Sequence, residues 1–166
     1  MAEKNHLEGL YVDMLKDLYS AEHQIIKALP KMAKKAHSPE LKQYFEEHLA
    51  QTEQQAQRIE QVFNNLEGSP KGKKCVGMEG LIAEGEEVMK EGFQGEVLDA
   101  ALIAAAQKVE HYEIAGYGTA RTFANTLGYT EAAKLLQQTL EEESQTNEKL
   151  TRLAESGVNR MAAQGK

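Results

Sequence analysis

Asp99-Ala100-Ala101-Leu102-Ile103-Ala104-Ala105-Ala106-Gln107-Lys108-Val109-Glu110-His111-Tyr112-Glu113-Ile114-Ala115 decides how the chain folds. It sits within a long stretch whose apolar residues Leu98, Leu102, Val109, Gly116, Ala120 and Phe123 recur at helical spacing. Glu110 and Glu113 are three residues apart, so they share one face of that helix and edge onto its apolar stripe. A charge held near a core costs several kcal/mol unless something compensates it. A metal ion is the obvious compensator.

Three further long helices follow by the same periodicity. Asn5-His6-Leu7-Glu8 reads as an N-cap with Glu at N3. The helix after it carries Leu7, Leu10, Met14, Leu15, Leu18, Glu22, Ile25, Ile26, Leu29 and Met32 on one stripe, and Pro30 is expected to kink it or end it early. Ser38-Pro39-Glu40 starts the second helix, with Leu41, Phe45, His48, Leu49, Thr52, Gln55, Ala56, Ile59 and Val62 on its stripe. Gly68-Ser69-Pro70-Lys71-Gly72 breaks it. A short acidic helix is expected over about 78–91, closed by Gly92 and Gly95. The third long helix then spans about 96–127, with Gly128 as its C′ residue. A fourth is capped by Thr130 and carries Ala133, Leu136, Leu140, Glu143, Asn147, Leu150 and Ala154. No strand-period segment competes.

Two antiparallel helical hairpins joined by a crossover of nearly thirty residues, about 67–95, give an all-α, ferritin-like four-helix bundle with a short extra helix in the crossover. A helix of about 30 residues is roughly 45 Å long, which such a crossover can climb. The chain of 166 residues reads as a single ferritin-like domain, 1–166, with its bundle over about 6–156 and a flexible C-terminal tail over 157–166.

Composition narrows the partners. Against 19 basic residues stand 26 acidic ones, a net charge of -7, so nucleic acid and anionic lipid are poor partners and a cation is easier to accept. The longest apolar run, Ala100 to Ala106, is too short to span a bilayer. One cysteine, Cys75, expected as a lone thiol in a loop, excludes an intramolecular disulfide framework. It fits a reducing cytoplasm, as does the polar N-terminus Ala2-Glu3-Lys4-Asn5-His6.

Matching heights across the two hairpins identifies a constellation. Glu22 and Glu113 each lie about 16 residues before their turn, and partners at that height fall near Thr52 to Gln55 and near Glu143 to Asn147. Glu22, Gln55, Glu110, Glu113 and Glu143 are therefore the candidate metal ligands, with Glu53 and Asn147 as further candidates. Four carboxylates cannot share a low-dielectric core as anions without counter-charge, and no Lys or Arg lies on these stripes at that height. Oxygen-rich ligands favour iron, manganese, magnesium or calcium, and carboxylates from facing helices build di-iron and di-manganese bundle sites. The usual Glu-x-x-His pairs are absent here: Glu53 is followed at i+3 by Ala56, Glu143 by Thr146, and the literal Glu3-to-His6 match sits at the terminus. His48 lies on a stripe but about five residues from the level of Glu22, which reads as a satisfied core or edge histidine. Tyr19 and Tyr112 read as relay residues, hydrogen-bond partners of the ligands or plain packing, and Gly116 as a point of close helix approach.

The stretch 99–115, together with Tyr19-Ser20-Ala21-Glu22, Lys74-Cys75-Val76-Gly77-Met78-Glu79-Gly80-Leu81-Ile82 and Leu140-Glu141-Glu142-Glu143, resembles the bacterial YciE/YciF family of stress-associated, ferritin-like proteins over roughly residues 7–155. The resemblance implies a rubrerythrin-like bundle, a homodimer and a bacterial cytoplasmic setting. It also implies a ferroxidase- or peroxidase-type di-metal centre of iron or manganese, using peroxide or oxygen. Within it, Glu22 corresponds to the first-helix ligand, Glu110 and Glu113 to the third-helix pair and Glu143 to the fourth-helix ligand. On the second helix, Gln55 and Glu53 remain alternatives. The competing expectation is a non-catalytic dimeric stress protein with a degenerate or single-metal site that acts by partner binding.

Overall fold

A computed structural model describes residues 6–165 of the chain. The expected Asn5 cap and the Glu3 of the Glu3-to-His6 match lie outside the described residues. Six α-helices run in order: α1 Leu7–Lys35, α2 Pro39–Phe63, α3 Val76–Val88, α4 Gly95–Thr126, α5 Thr130–Leu153 and, after five residues of π-helix at Ala154–Val158, α6 Asn159–Gln164. There is no strand among the described residues. Helices α1 with α2 and α4 with α5 form the two hairpins, and α3 rides in the crossover against α4 and α1. This is the ferritin-like bundle that the helical stripes predict.

The turns are built from local chemistry. Ser38 caps α2 by accepting from Leu41 N at 3.3 Å, with Pro39 supplying the first helical residue. Asp99 then ties this turn to the start of α4. Its buried carboxylate accepts from His37 N at 2.6 Å and Ser38 N at 2.8 Å. That clamp sets the height of one hairpin against the other. At the opposite end Gly128, at φ +80°, closes α4 as a Schellman motif: Tyr129 N donates to Ala124 O at 2.8 Å and Gly128 N to Asn125 O at 3.1 Å.

Several boundaries differ from the sequence expectation. Pro30 does not end α1, which continues to Lys35; within the last two turns its missing N–H removes a single bond of the helical ladder. The short helix starts earlier, at Val76, because Cys75 caps it: Sγ accepts from Met78 N at 3.4 Å. Cys75 is the expected lone thiol, at the end of the connecting loop. It is fully buried, with Sγ 3.1 Å from Asp17 Oδ2 and 3.0 Å from the Tyr112 hydroxyl. Nor does helix end at Gly157. The π-turn carries the chain through it, and Ala154 and Val158 pack into the core beside Leu102, Ile103 and Leu150.

Two apolar cores occupy the bundle. One, nearer the α1–α2 turn, gathers Ile25, Leu29, Leu41, Phe45, Leu102 and Leu150. The other, nearer the α4–α5 turn, gathers Tyr11, Leu15, Leu18, Ile59, Val62 and Leu136. Gly116 lets α1 and α4 close together, since a Cβ there would stand 2.7 Å from Leu18 Cδ2. Between the two cores runs a buried polar layer.

Candidate metal centre

Each long helix contributes to that layer. Glu22 comes from α1, His48 and Gln55 from α2, Glu110 and Glu113 from α4, and Glu143 from α5; all are buried. Glu22, Gln55, Glu113 and Glu143 are wholly inaccessible to solvent, and Glu110 is 1% exposed. The structure therefore brings together the five principal candidates. Glu53 is exposed and faces away. Asn147 is half-buried one turn beyond Glu143, where its Oδ1 accepts from Gln107 Nε2 at 3.2 Å. Neither joins the cluster.

Most of the polar atoms in the layer have no hydrogen-bond partner in the protein. They are Glu22 Oε2, Glu110 Oε2, both carboxylate oxygens of Glu113 and of Glu143, Gln55 Oε1 and both ring nitrogens of His48. Buried polar groups are satisfied in the great majority of cases, and leaving one unsatisfied costs roughly 1–3 kcal/mol, more for a charge. So many in one place signals a ligand rather than packing. Among the described residues no Lys or Arg pairs with these carboxylates, and His48 is the one basic side chain among them; Arg58, beside the layer, is engaged with Glu142 through Nη1 at 2.9 Å and Nη2 at 3.1 Å.

The electrostatics follow. Burial pushes the Glu22 carboxyl up to about 8, with repulsion from Glu143 adding and the Tyr117 hydroxyl opposing. Burial likewise raises Glu110 to about 7, helped by Glu22 and opposed by its contact with Glu143. Glu113 and Glu143 are raised well above the ordinary carboxylate range, first by burial and then by their acidic neighbours. Without a cation, several of these groups hold protons at neutral pH.

His48 is the candidate ligand that sequence reasoning missed. Its Nε2 lies 3.1 Å from Glu110 Oε1, without hydrogen-bond alignment. His48, Glu110 and Glu143 each offer an atom within 4.8 Å of the others, a geometry that can hold a metal ion. The expected satisfied histidine is thus unsatisfied. Height was measured against Glu22, whereas His48 sits one turn nearer the α1–α2 turn than Thr52, and Glu110 one turn nearer than Glu113. Helices α2 and α4 both begin at that end, so their side chains lean the same way. Compared with Glu110, His48 is level.

The surroundings hold the donors in place. Gln55 Nε2 donates to Glu142 Oε2 at 3.1 Å, which leaves its carbonyl oxygen as the unpartnered atom. Glu142 is itself fixed by the Arg58 fork, and Arg58 Nη1 also donates to Thr139 Oγ1 at 2.6 Å. Tyr117, wholly buried, donates its hydroxyl to Glu22 Oε1. The Tyr44 ring stacks on His48 with centroids 6.0 Å apart. The sequence points to Tyr19 and Tyr112 instead, but Tyr19 donates to Glu60 at 2.7 Å and Tyr112 to Asp17 at 2.7 Å, outside the layer. Thr52 Oγ1 is satisfied by His48 O at 2.8 Å.

The donor set fits a transition metal. Four carboxylates, an imidazole and an amide oxygen suit iron or manganese better than a thiolate-seeking ion, and the unpartnered atoms are the ones such an ion takes. Among the described residues no helix is long and apolar enough to cross a membrane.

Comparison with known proteins agrees with the fold. Residues 6–163 match a family described as a domain of unknown function, DUF892. Protein YciF of Escherichia coli K12 is 52% identical over 157 residues, 94% of this chain and 95% of that protein. The crystal structure of the E. coli stress protein YciF superposes with a TM-score of 0.90 at 51% identity, covering 93% of this chain and 98% of that one. YcfI of Rhodopseudomonas palustris follows at 0.87 and 43% identity, covering 90% and 96%. A ferritin-like, diiron-carboxylate protein of Bacillus anthracis shares the fold at 0.70 with 19% identity, covering 90% and 98%.

Proposed function

The chain belongs to the DUF892 family, with YciF as a relative, and from that premise we propose that it is a ferroxidase- or peroxidase-type metalloprotein whose polar layer holds two iron or manganese ions. The observation that carries this reading is the set of buried carboxylate and imidazole atoms with no partner in the protein. His48, Glu110 and Glu143 would hold one ion, and Glu22 and Glu113, with Gln55 Oε1, the other. The metal supplies the redox chemistry, passing electrons from Fe(II) to peroxide or oxygen. The protein's own part is positioning. Tyr117 orients Glu22 through Oε1, the Arg58–Glu142 pair aims the Gln55 carbonyl, and the two apolar cores exclude water from both ends. The raised carboxyls release protons as cations enter. We further propose a homodimer working in the bacterial cytoplasm, which sedimentation and fractionation would check.

One feature favours a narrower reading. The three atoms within 4.8 Å belong to one ion's worth of ligands, and Glu22 already has the Tyr117 hydroxyl. A single-metal stress protein that acts by partner binding is the alternative. Metal-free protein loaded anaerobically with Fe(II) or Mn(II), desalted and analysed, separates the two. About two ions per chain, followed by absorbance growth on adding peroxide or air, supports the redox reading. One retained ion with no oxidation supports the alternative, and none in a folded protein defeats the redox reading and leaves a degenerate site.

A further inference from the structure

A cavity of about 30 Å³ lies between the crossover helix α3 and the bundle, walled by α1 and α4. Its sides are apolar: Ile25 and Leu29 from α1, Ile82 from α3, and Ala105, Ala106 and Val109 from α4. Polar residues also line it. Lys31 Nζ and Glu86 Oε1 pair at 2.7 Å, with their side chains 63% and 37% exposed. His48 and Glu110 are buried, with His48 Nδ1 and Glu110 Oε2 unpartnered. One space is therefore lined both by a surface ion pair and by two of the proposed metal ligands.

Its size and walls select the occupant. A volume near 30 Å³ admits only a very small molecule, and a water there needs two to four polar partners. The walls offer none along the passage. Hydrogen peroxide has two hydroxyls with the same demand, and a hydrated cation far more. An apolar diatomic makes no such demand. We propose that this cavity is the binding site and entry route for dioxygen, which it delivers to the His48–Glu110 side of the centre. The inference rests on the metal reading above and chooses the oxidant within it. In the reaction served, two ferrous ions give one electron each; dioxygen takes both electrons and two protons and leaves as hydrogen peroxide. Lys31 and Glu86, both lining the cavity, bridge α1 to α3 where it meets the surface.

Xenon reports apolar cavities without any chemistry. Crystals of the metal-free protein under xenon are expected to show the gas among Ile25, Ile82 and Val109. Ala106→Leu, with Ala106→Val as the milder filling, should abolish that density. Circular dichroism and metal analysis check that each variant folds and takes up wild-type iron. Oxidation of its bound Fe(II) by dioxygen should then be several-fold slower than in the wild type. Xenon absent from the cavity, or an unchanged rate with the cavity filled and iron bound, overturns the route while leaving the metal site standing. If wild-type protein binds no iron before oxygen is admitted, the metal reading has failed, and the route falls with it.

Discussion

Glu113 offers the simplest physical test in the molecule, because neither of its carboxylate oxygens has a partner and solvent does not reach it. A carboxyl so placed keeps its proton until a cation takes the proton's position. Metal uptake must therefore expel protons from the layer, and affinity must rise with pH. Competitive titration with a chelator of known affinity should show binding tightening steadily through the range in which Glu110 and Glu22 titrate, about 7 and about 8. An affinity independent of pH would mean that the ion binds elsewhere. Tyr117 gives a finer test. Its hydroxyl donates to Glu22 Oε1, and loss of a group that orients a ligand typically costs about 10- to 100-fold in metal affinity. Tyr117→Phe should show a loss of that order with its helical circular dichroism intact. Both residues also mark where the sequence was and was not readable. A glutamate on an apolar stripe is conspicuous because its charge is out of place, so Glu22, Glu110, Glu113 and Glu143 could be found from spacing alone. A tyrosine on the same stripe looks like packing, and Tyr117 gave no signal.

At the scale of elements, the bundle depends on registering one hairpin against the other, and Asp99 does this with two backbone hydrogen bonds to the α1–α2 turn. Replacing it by alanine strands the N–H groups of His37 and Ser38. The cost should be about 1–3 kcal/mol, two part-buried hydrogen bonds at roughly 0.5–1.5 kcal/mol each. Urea unfolding of Asp99→Ala measures it, and a midpoint equal to wild type would show that the clamp is not needed. The helices themselves were legible, since 3.6-residue stripes, the Ser38-Pro39 start and the Gly128 stop all state local preferences. Asp99 was not legible, because its partners lie 61 and 62 residues away and a carboxylate near a helix start has many local uses. The same limit hid His48. Its candidacy as a ligand depends on Glu110, on another helix and in the other hairpin, and a height count anchored on Glu22 puts it a turn too far. The passage of the chain through Gly157 into α6 rests on burial of Ala154 and Val158, another tertiary gain that outweighs a local helix-breaking signal.

For the whole molecule, the arrangement of two apolar cores around a layer of acids makes stability depend on what fills the layer. The sign follows from the direction of the shifts. Glu22 and Glu110 have carboxyls raised in the fold, to about 8 and about 7, from an ordinary value of 4.5, and Glu113 and Glu143 are raised further. A group raised on folding contributes stability that is complete below its unfolded value and lost as pH climbs through its folded value. The metal-free protein should accordingly be more stable near pH 5 than near pH 9, the reverse of a protein whose acids are paired with bases. A bound cation removes this dependence by stabilising the ionised carboxylates that high pH produces. Thermal unfolding of metal-free and metal-loaded protein across that range should give two curves that diverge as pH rises, most steeply below about 7 and more slowly once Glu110 and Glu22 have ionised, at about 7 and about 8. Glu113→Gln removes one of the acids and should flatten the metal-free curve. A metal-free protein whose melting temperature holds level over the range, or rises with pH, would mean that the acids find counter-charge inside the fold, and the need for a cation at the middle of the bundle would disappear.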